Sequence, residues 1–192
     1  MPASSLQSRL TVLFPACCAT WLVLRAAGVF GRMLDWKLAG LAAAEPLLSA
    51  VVVTVGSFLA LTSLRTRPVS PARSAWALGA TISVTFLLFD LGKLLHPDEM
   101  VAFFRASGWP AWLHWAVMIA EVASALTIAR YAPGWAGAAA AMVLLAIMGG
   151  AVFTHLRNGD PLVAIGDAAR QAVLLTAYLA LHPGVRRWRR DD

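Results

Sequence analysis

The stretch Thr85 to Glu99, TFLLFDLGKLLHPDE, sets Asp90 and Lys93 three residues apart at the end of an apolar run that begins near Ala75. At i and i+3 of a helix the two side chains share a face, so a carboxylate and an ammonium can meet there. Other runs repeat the pattern. Asp167 and Arg170 are again three apart, Glu121 stands in the middle of a run, and Arg25 and Glu45 lie in the first two runs. His114 and His155 fall near the ends of two more. Carboxylates and imidazoles move protons, and ammonium or guanidinium groups hold a carbonyl or an anion. As catalytic candidates we take Glu121 and Asp90, and as binding candidates Lys93, Arg170, Asp167, Arg25, Glu45, His114 and His155.

The elements that carry these residues are membrane helices. The 192 residues are 59% hydrophobic and 14% charged, with a mean hydropathy of +0.69. An ordinary soluble domain has about 45 to 50% apolar and about 25% charged residues. The fold class expected is all-α, a polytopic membrane helical bundle forming a single integral membrane domain over residues 1–192. The net charge of +6 does not point to nucleic acid. The basic residues lie mostly between and after the apolar runs, and four stand in the C-terminal VRRWRRDD, which reads as an anchor on the anionic cytoplasmic leaflet of the bilayer. Cys17 and Cys18 are adjacent, without the spacing of a CxxC or of metal ligands, and read as small residues packing in a helix. No metal site is expected. Nor is heme, because His114 and His155 come from the ends of neighbouring antiparallel spans and no second facing pair exists.

At 1.5 Å per residue, about 20 residues cross the hydrocarbon core. Six spans are predicted: Leu10 to Gly31, Leu38 to Leu64, Ser74 to His96, Pro110 to Tyr131, Trp135 to Leu156 and Pro161 to His182. They group as an N-terminal pair (10–64), a four-helix unit (74–182) and a basic tail (183–192). The first run carries Pro15 and Arg25 and no clean cleavage site, so it is read as a mature helix and not a signal peptide. An even number of spans puts both termini on one side. Assigning that side to the cytoplasm places Arg9, Arg65, Arg67, Arg73, Arg130 and the four C-terminal arginines inside, against Arg25, Arg32, Lys37, Lys93, Arg105 and Arg157 on the other side.

Between the third and fourth spans, Asp98 to Ser107 (DEMVAFFRAS) is too short to cross. Its Met100, Phe103 and Phe104 recur at helical spacing, which predicts a short amphipathic helix on the outer membrane face. Trp109, Trp112 and Trp115 read as an interfacial aromatic belt. The small residues of GWAGAAAAM and MGGA in the fifth span allow close approach of neighbouring helices.

Counting inward from the outer ends, Asp90, Arg25 and Asp167 lie about 9 Å deep, Glu45 about 10 Å, Lys93 about 4 to 5 Å, Arg170 about 13 Å and Glu121 about 16 Å. Each ionised group facing lipid costs about 2.5 to 3.5 kcal/mol on the insertion scale, whereas groups gathered around an interior cavity can pair and share water. These seven side chains are therefore expected to line one polar recess in the outer half of the bundle. Arg25 is expected to pair with Glu45, and Arg170 to lie beside Glu121.

From Ala75 onward the sequence resembles the DoxX-like membrane proteins. The resemblance rests on Gly92 and Lys93 closing one helix, Phe103 and Phe104 in the loop, Gly108 and Pro110 in a G-x-P turn, and Glu121 central in the next helix, and it covers about residues 74–182. It departs at Met118, where a glycine often stands, and in lacking a CxxC, which weakens thiol chemistry. The resemblance implies a bacterial inner-membrane bundle linked to quinone or respiratory chemistry as a subunit associated with a redox enzyme.

Three functions are compatible with these residues. One is an oxidoreductase-associated subunit that binds a quinone or small anion, with Glu121 exchanging the proton and Arg170 and Lys93 holding the carbonyl or anion. Another is a non-enzymatic transporter or lipid-binding scaffold; the break at Glu45 and Pro46 keeps a gating role open, although the two halves show no repeat. The third is acid chemistry by Asp90 and Glu121 on an isoprenoid or other lipid.

Overall fold

A computed structural model describes residues 3–33, 49–58, 71–130 and 135–182. Among these residues the chain is entirely helical. In lipid, a helix pairs its backbone groups within its own segment, and apolar runs of this length take that form. The helices are α1 (Ala3–Met33), α2 (Ser49–Phe58), α3 (Pro71–Leu95), α4 (Pro97–Ala106), α5 (Trp112–Ala129), α6 (Trp135–Asn158) and α7 (Leu162–Leu181).

Four of them, α3, α5, α6 and α7, are long and apolar enough to cross a membrane. They correspond to the last four predicted spans, with ends shifted by at most three residues. Among the described residues four spans are found, not the six expected. The apolar part of α1 is the shorter stretch Leu13–Ala27, and of the expected Leu38 to Leu64 span only Ser49–Phe58 is described. Glu45 and the basic tail lie outside the described residues.

The four spans close into a ring: α3 packs on α5, α5 on α6, α6 on α7, and α7 back on α3. The core holds Leu78, Ile82 and Phe86 of α3, Ile128 of α5, Leu144 of α6, and Leu174, Leu175 and Tyr178 of α7. In the first half of α6 the buried residues are Gly137, Ala138, Ala140 and Ala141, so its neighbours approach closely there through dispersion contacts. Outside the ring, α1 lays Phe14, Cys18 and Trp21 against α3. Gly56 of α2 fits against both, since a Cβ there would lie 3.3 Å from Phe14 and 3.5 Å from Leu78. Trp112, Ile119 and Leu126 of α5 recur every seventh residue on the outside, and Met142 and Phe153 on α6 and Leu162 and Val163 on α7 are exposed as well. Such an apolar exterior is stable only in lipid, and the protein is a multi-pass membrane protein.

The break between α3 and α4 has a local cause. Pro97 disfavours helical dihedrals at the residue before it, and His96 adopts φ −126° and ψ 56°. The same proline then occupies the first turn of α4, where its missing N–H is not needed. Asp98 and Glu99 in the first turn and Arg105 in the last complement the helix dipole. α4 ends at Gly108, whose φ of +75° suits a residue without Cβ, and the Trp109 N–H donates back to the Phe104 carbonyl over 2.8 Å. α4 is thereby folded over the end of the bundle where α3 stops and α5 starts.

Candidate functional site

Two of the predicted site residues sit on α3 and two on α5. Asp90 and Lys93 are one turn apart, and the Lys93 Nζ donates to Asp90 Oδ1 over 3.0 Å. The same ammonium pairs with Glu121 Oε2. Lys93 therefore turns inward, where the alternative was to snorkel toward water. Helix geometry explains the meeting. Cα–Cβ bonds tilt toward a helix N-terminus, which lies at the far end for α3 and at the near end for α5. Lys93 consequently leans into the bundle and Glu121 leans up to meet it.

The carboxylates are almost wholly enclosed, with side chains 4% and 2% exposed for Asp90 and Glu121, while Lys93 is 23% exposed. One ammonium thus serves two buried carboxylates from two helices. His114, seven residues before Glu121 on α5, is buried too and feels the charges of Lys93 and Asp90. Its ring packs 5.7 Å from Phe104 of α4 and 4.9 Å from Trp115, measured between centroids. His114 Nε2 and Asp90 Oδ2 have no hydrogen-bond partner among the described residues. These buried atoms give the site hydrogen-bonding capacity that no described residue uses.

A second charged group lies where α1, α2 and α7 meet. Asp167 pairs with Arg170 on its own helix and with Arg25 NH2 of α1 at 3.5 Å. Arg170 also donates to Ser49 Oγ over 2.8 Å, and Arg25 lies over the Phe89 ring of α3 at 4.4 Å. Phe89 and Asp90 are neighbours on α3, so the two groups occupy different sides of one helix near the same end of the bundle. The described ion pairs do not join them. The cation on Glu121 is Lys93, and the described partners of Arg170 are Asp167 and Ser49. The expected partner of Arg25, Glu45, lies outside the described residues.

His155, the last binding candidate, belongs to a third set of contacts that fastens α4. Its Nδ1 lies 2.7 Å from Asp160 Oδ2, brought back by a turn through Gly159 (φ +73°), and Phe103 packs on its ring at 5.3 Å. Beside it, Trp109 Nε1 donates to Thr154 Oγ1 over 3.1 Å, Asn158 Nδ2 to Ser107 Oγ over 2.8 Å, and Arg157 to the Ser107 carbonyl. The sequence reading did not anticipate Ser107, Asn158, Asp160 or Ser49. Only Asp160 left a signal, a histidine and an aspartate on either side of an Asn-Gly turn.

A model of the DoxX-like family matches residues 77–181, from early α3 to the end of α7. Comparison with curated proteins and with solved structures returned no match. The matched region contains the whole four-helix ring, the α4 segment, and the Asp90, Lys93, Glu121 and His114 constellation. The chain belongs to the DoxX-like family.

Proposed function

We propose that the constellation of Asp90, Lys93, Glu121 and His114 binds the head group of a quinone, and that the protein is a subunit associated with a membrane oxidoreductase. The observation that carries this reading is the single ammonium shared by two buried carboxylates beside two unpartnered atoms, His114 Nε2 and Asp90 Oδ2. A quinone carbonyl accepts hydrogen bonds and a quinol hydroxyl donates one, and the site offers a cation, an imidazole and carboxylates to match both. Glu121 and Asp90 exchange protons as the ring is reduced or oxidised, and Lys93 compensates the charge that remains. Arg25, Asp167 and Arg170 form the adjoining polar wall toward α1, and His155 holds the cover formed by α4.

In this reading α1 and the region around α2 complete six spans in a bacterial inner membrane, with both termini in the cytoplasm and the site in the outer half. The test is mass spectrometry of the detergent-solubilised protein. The wild type should carry copurified quinone, and Glu121→Gln, with the bundle still folded, should lose it. A copurified lipid that is not a quinone would favour a lipid-binding scaffold or acid chemistry on that lipid, and an empty wild-type protein would count against the proposal.

A further inference from the structure

The buried polar residues that the site does not use fall into register down the core. Gly79 of α3 fixes that register, because a Cβ there would lie 3.1 Å from the Tyr178 ring and 3.3 Å from Ile128. Gly79, Ile128 and Tyr178 are therefore level in α3, α5 and α7. Counting from this level toward the site at 1.5 Å per residue, Ser83 and Ser124 both lie about 6 Å away. Gln171 and Glu121 both lie about 10 Å away. In the opposite direction His182 closes α7 about 6 Å beyond Tyr178, with the two rings 5.2 Å apart. Glu121, Gln171, Ser124, Ser83, Tyr178 and His182 are all buried.

We infer that these side chains form a proton path through the bundle, joining the Glu121 site to the opposite end of the bundle at His182. The levels follow one another by about 4.5 to 6 Å along the bundle axis, and waters held between the side chains would bridge the lateral gaps between the helices. Interhelical hydrogen bonds would be the other use for such residues in a membrane. Yet Ser83 spends its proton on its own helix, donating to the Gly79 carbonyl over 2.8 Å, and keeps its lone pairs free to accept. Gln171 Oε1 is buried with no hydrogen-bond partner among the described residues. A proton taken from the Glu121 carboxyl passes along waters held by Gln171, Ser124 and Ser83 to the Tyr178 hydroxyl and the His182 imidazole. Gln171, Ser124 and Ser83 only hold the waters, while each water, the Tyr178 hydroxyl and the His182 imidazole accepts one proton and hands on another, so no electrons move and no co-reactant is consumed.

This path goes beyond the quinone reading and is tested without a quinone. The full chain is reconstituted into liposomes containing a pH-sensitive dye, and valinomycin with a potassium gradient drives protons inward. Wild-type liposomes should acidify faster than protein-free ones, and Tyr178→Phe and Gln171→Leu should lose that excess. Thr176→Val, which removes an exposed hydroxyl of the same helix, should retain it. If Tyr178→Phe fails to fold by circular dichroism, Ser83→Ala takes its place with the same expected loss. A wild type no faster than protein-free liposomes, or a folded path variant with the full rate, overturns the inference.

Discussion

Lys93 is the cation on which two buried carboxylates depend, and its removal separates a structural from a ligand-binding role. Taking one partner from a buried ion pair costs about 3 to 5 kcal/mol, because the remaining charge stays enclosed and unpaired. Lys93→Met should therefore lower the unfolding free energy in mixed micelles by about that amount. The double variant Lys93→Met with Glu121→Gln should recover part of the loss, with a coupling of about 0.5 to 3 kcal/mol; strictly additive effects would contradict the pairing. At this scale the sequence was half legible. The Asp90 and Lys93 pair follows from i, i+3 spacing, whereas the Lys93 and Glu121 pair spans 28 residues and two helices. Its register depends on how far α3 stops below the start of α5, which no local pattern encodes. For the same reason Arg170 was placed beside Glu121 from depth alone, when its side chain turns to Asp167 and Ser49.

Among the elements, α4 is the one with a removable fastening. It has no buried residue of its own and is held by Ser107, Trp109 and the end of α6. Arg157→Ala removes the contact to the Ser107 carbonyl and the cation packed 5.1 Å over Trp109. Hydrogen exchange should then speed up across residues 97–107 while α5 and α7 stay protected; unchanged exchange in α4 would show that Phe103 and Phe104 suffice. Gly108→Ala forces a side chain into φ +75°, a conformation that costs an L-residue about 1 to 2 kcal/mol, and should loosen the same segment. The elements themselves were the most legible feature, since apolar length sets each span and the Phe103 and Phe104 spacing sets α4. α3 stops one residue before the predicted His96 because Pro97 disfavours helical dihedrals at that residue.

For the whole molecule, the four-helix ring supplies an apolar exterior and a core that carries charge at one end. The six described membrane charges, Arg25, Asp90, Lys93, Glu121, Asp167 and Arg170, gather at that end as the cost of exposing them to lipid requires. They form two groups on different sides of α3, because neighbouring residues on a helix point in different directions. Orientation was read from arginines and lysines in the connecting segments, much of which lies outside the described residues. Reporter fusions at residues 1 and 192 should both be cytoplasmic if α1 and the α2 region each cross the bilayer. Reporters on opposite sides would fix an odd number of spans.

The most direct measurement is infrared difference spectroscopy of a carbonyl-labelled quinone added to the purified protein. Hydrogen bonds from Lys93 and His114 lower the carbonyl stretching frequency. The account predicts a downshifted band for the wild type that returns toward the free position in both Lys93→Met and His114→Phe. A bound quinone whose carbonyl bands match those in detergent alone, or bands that ignore both substitutions, would contradict it.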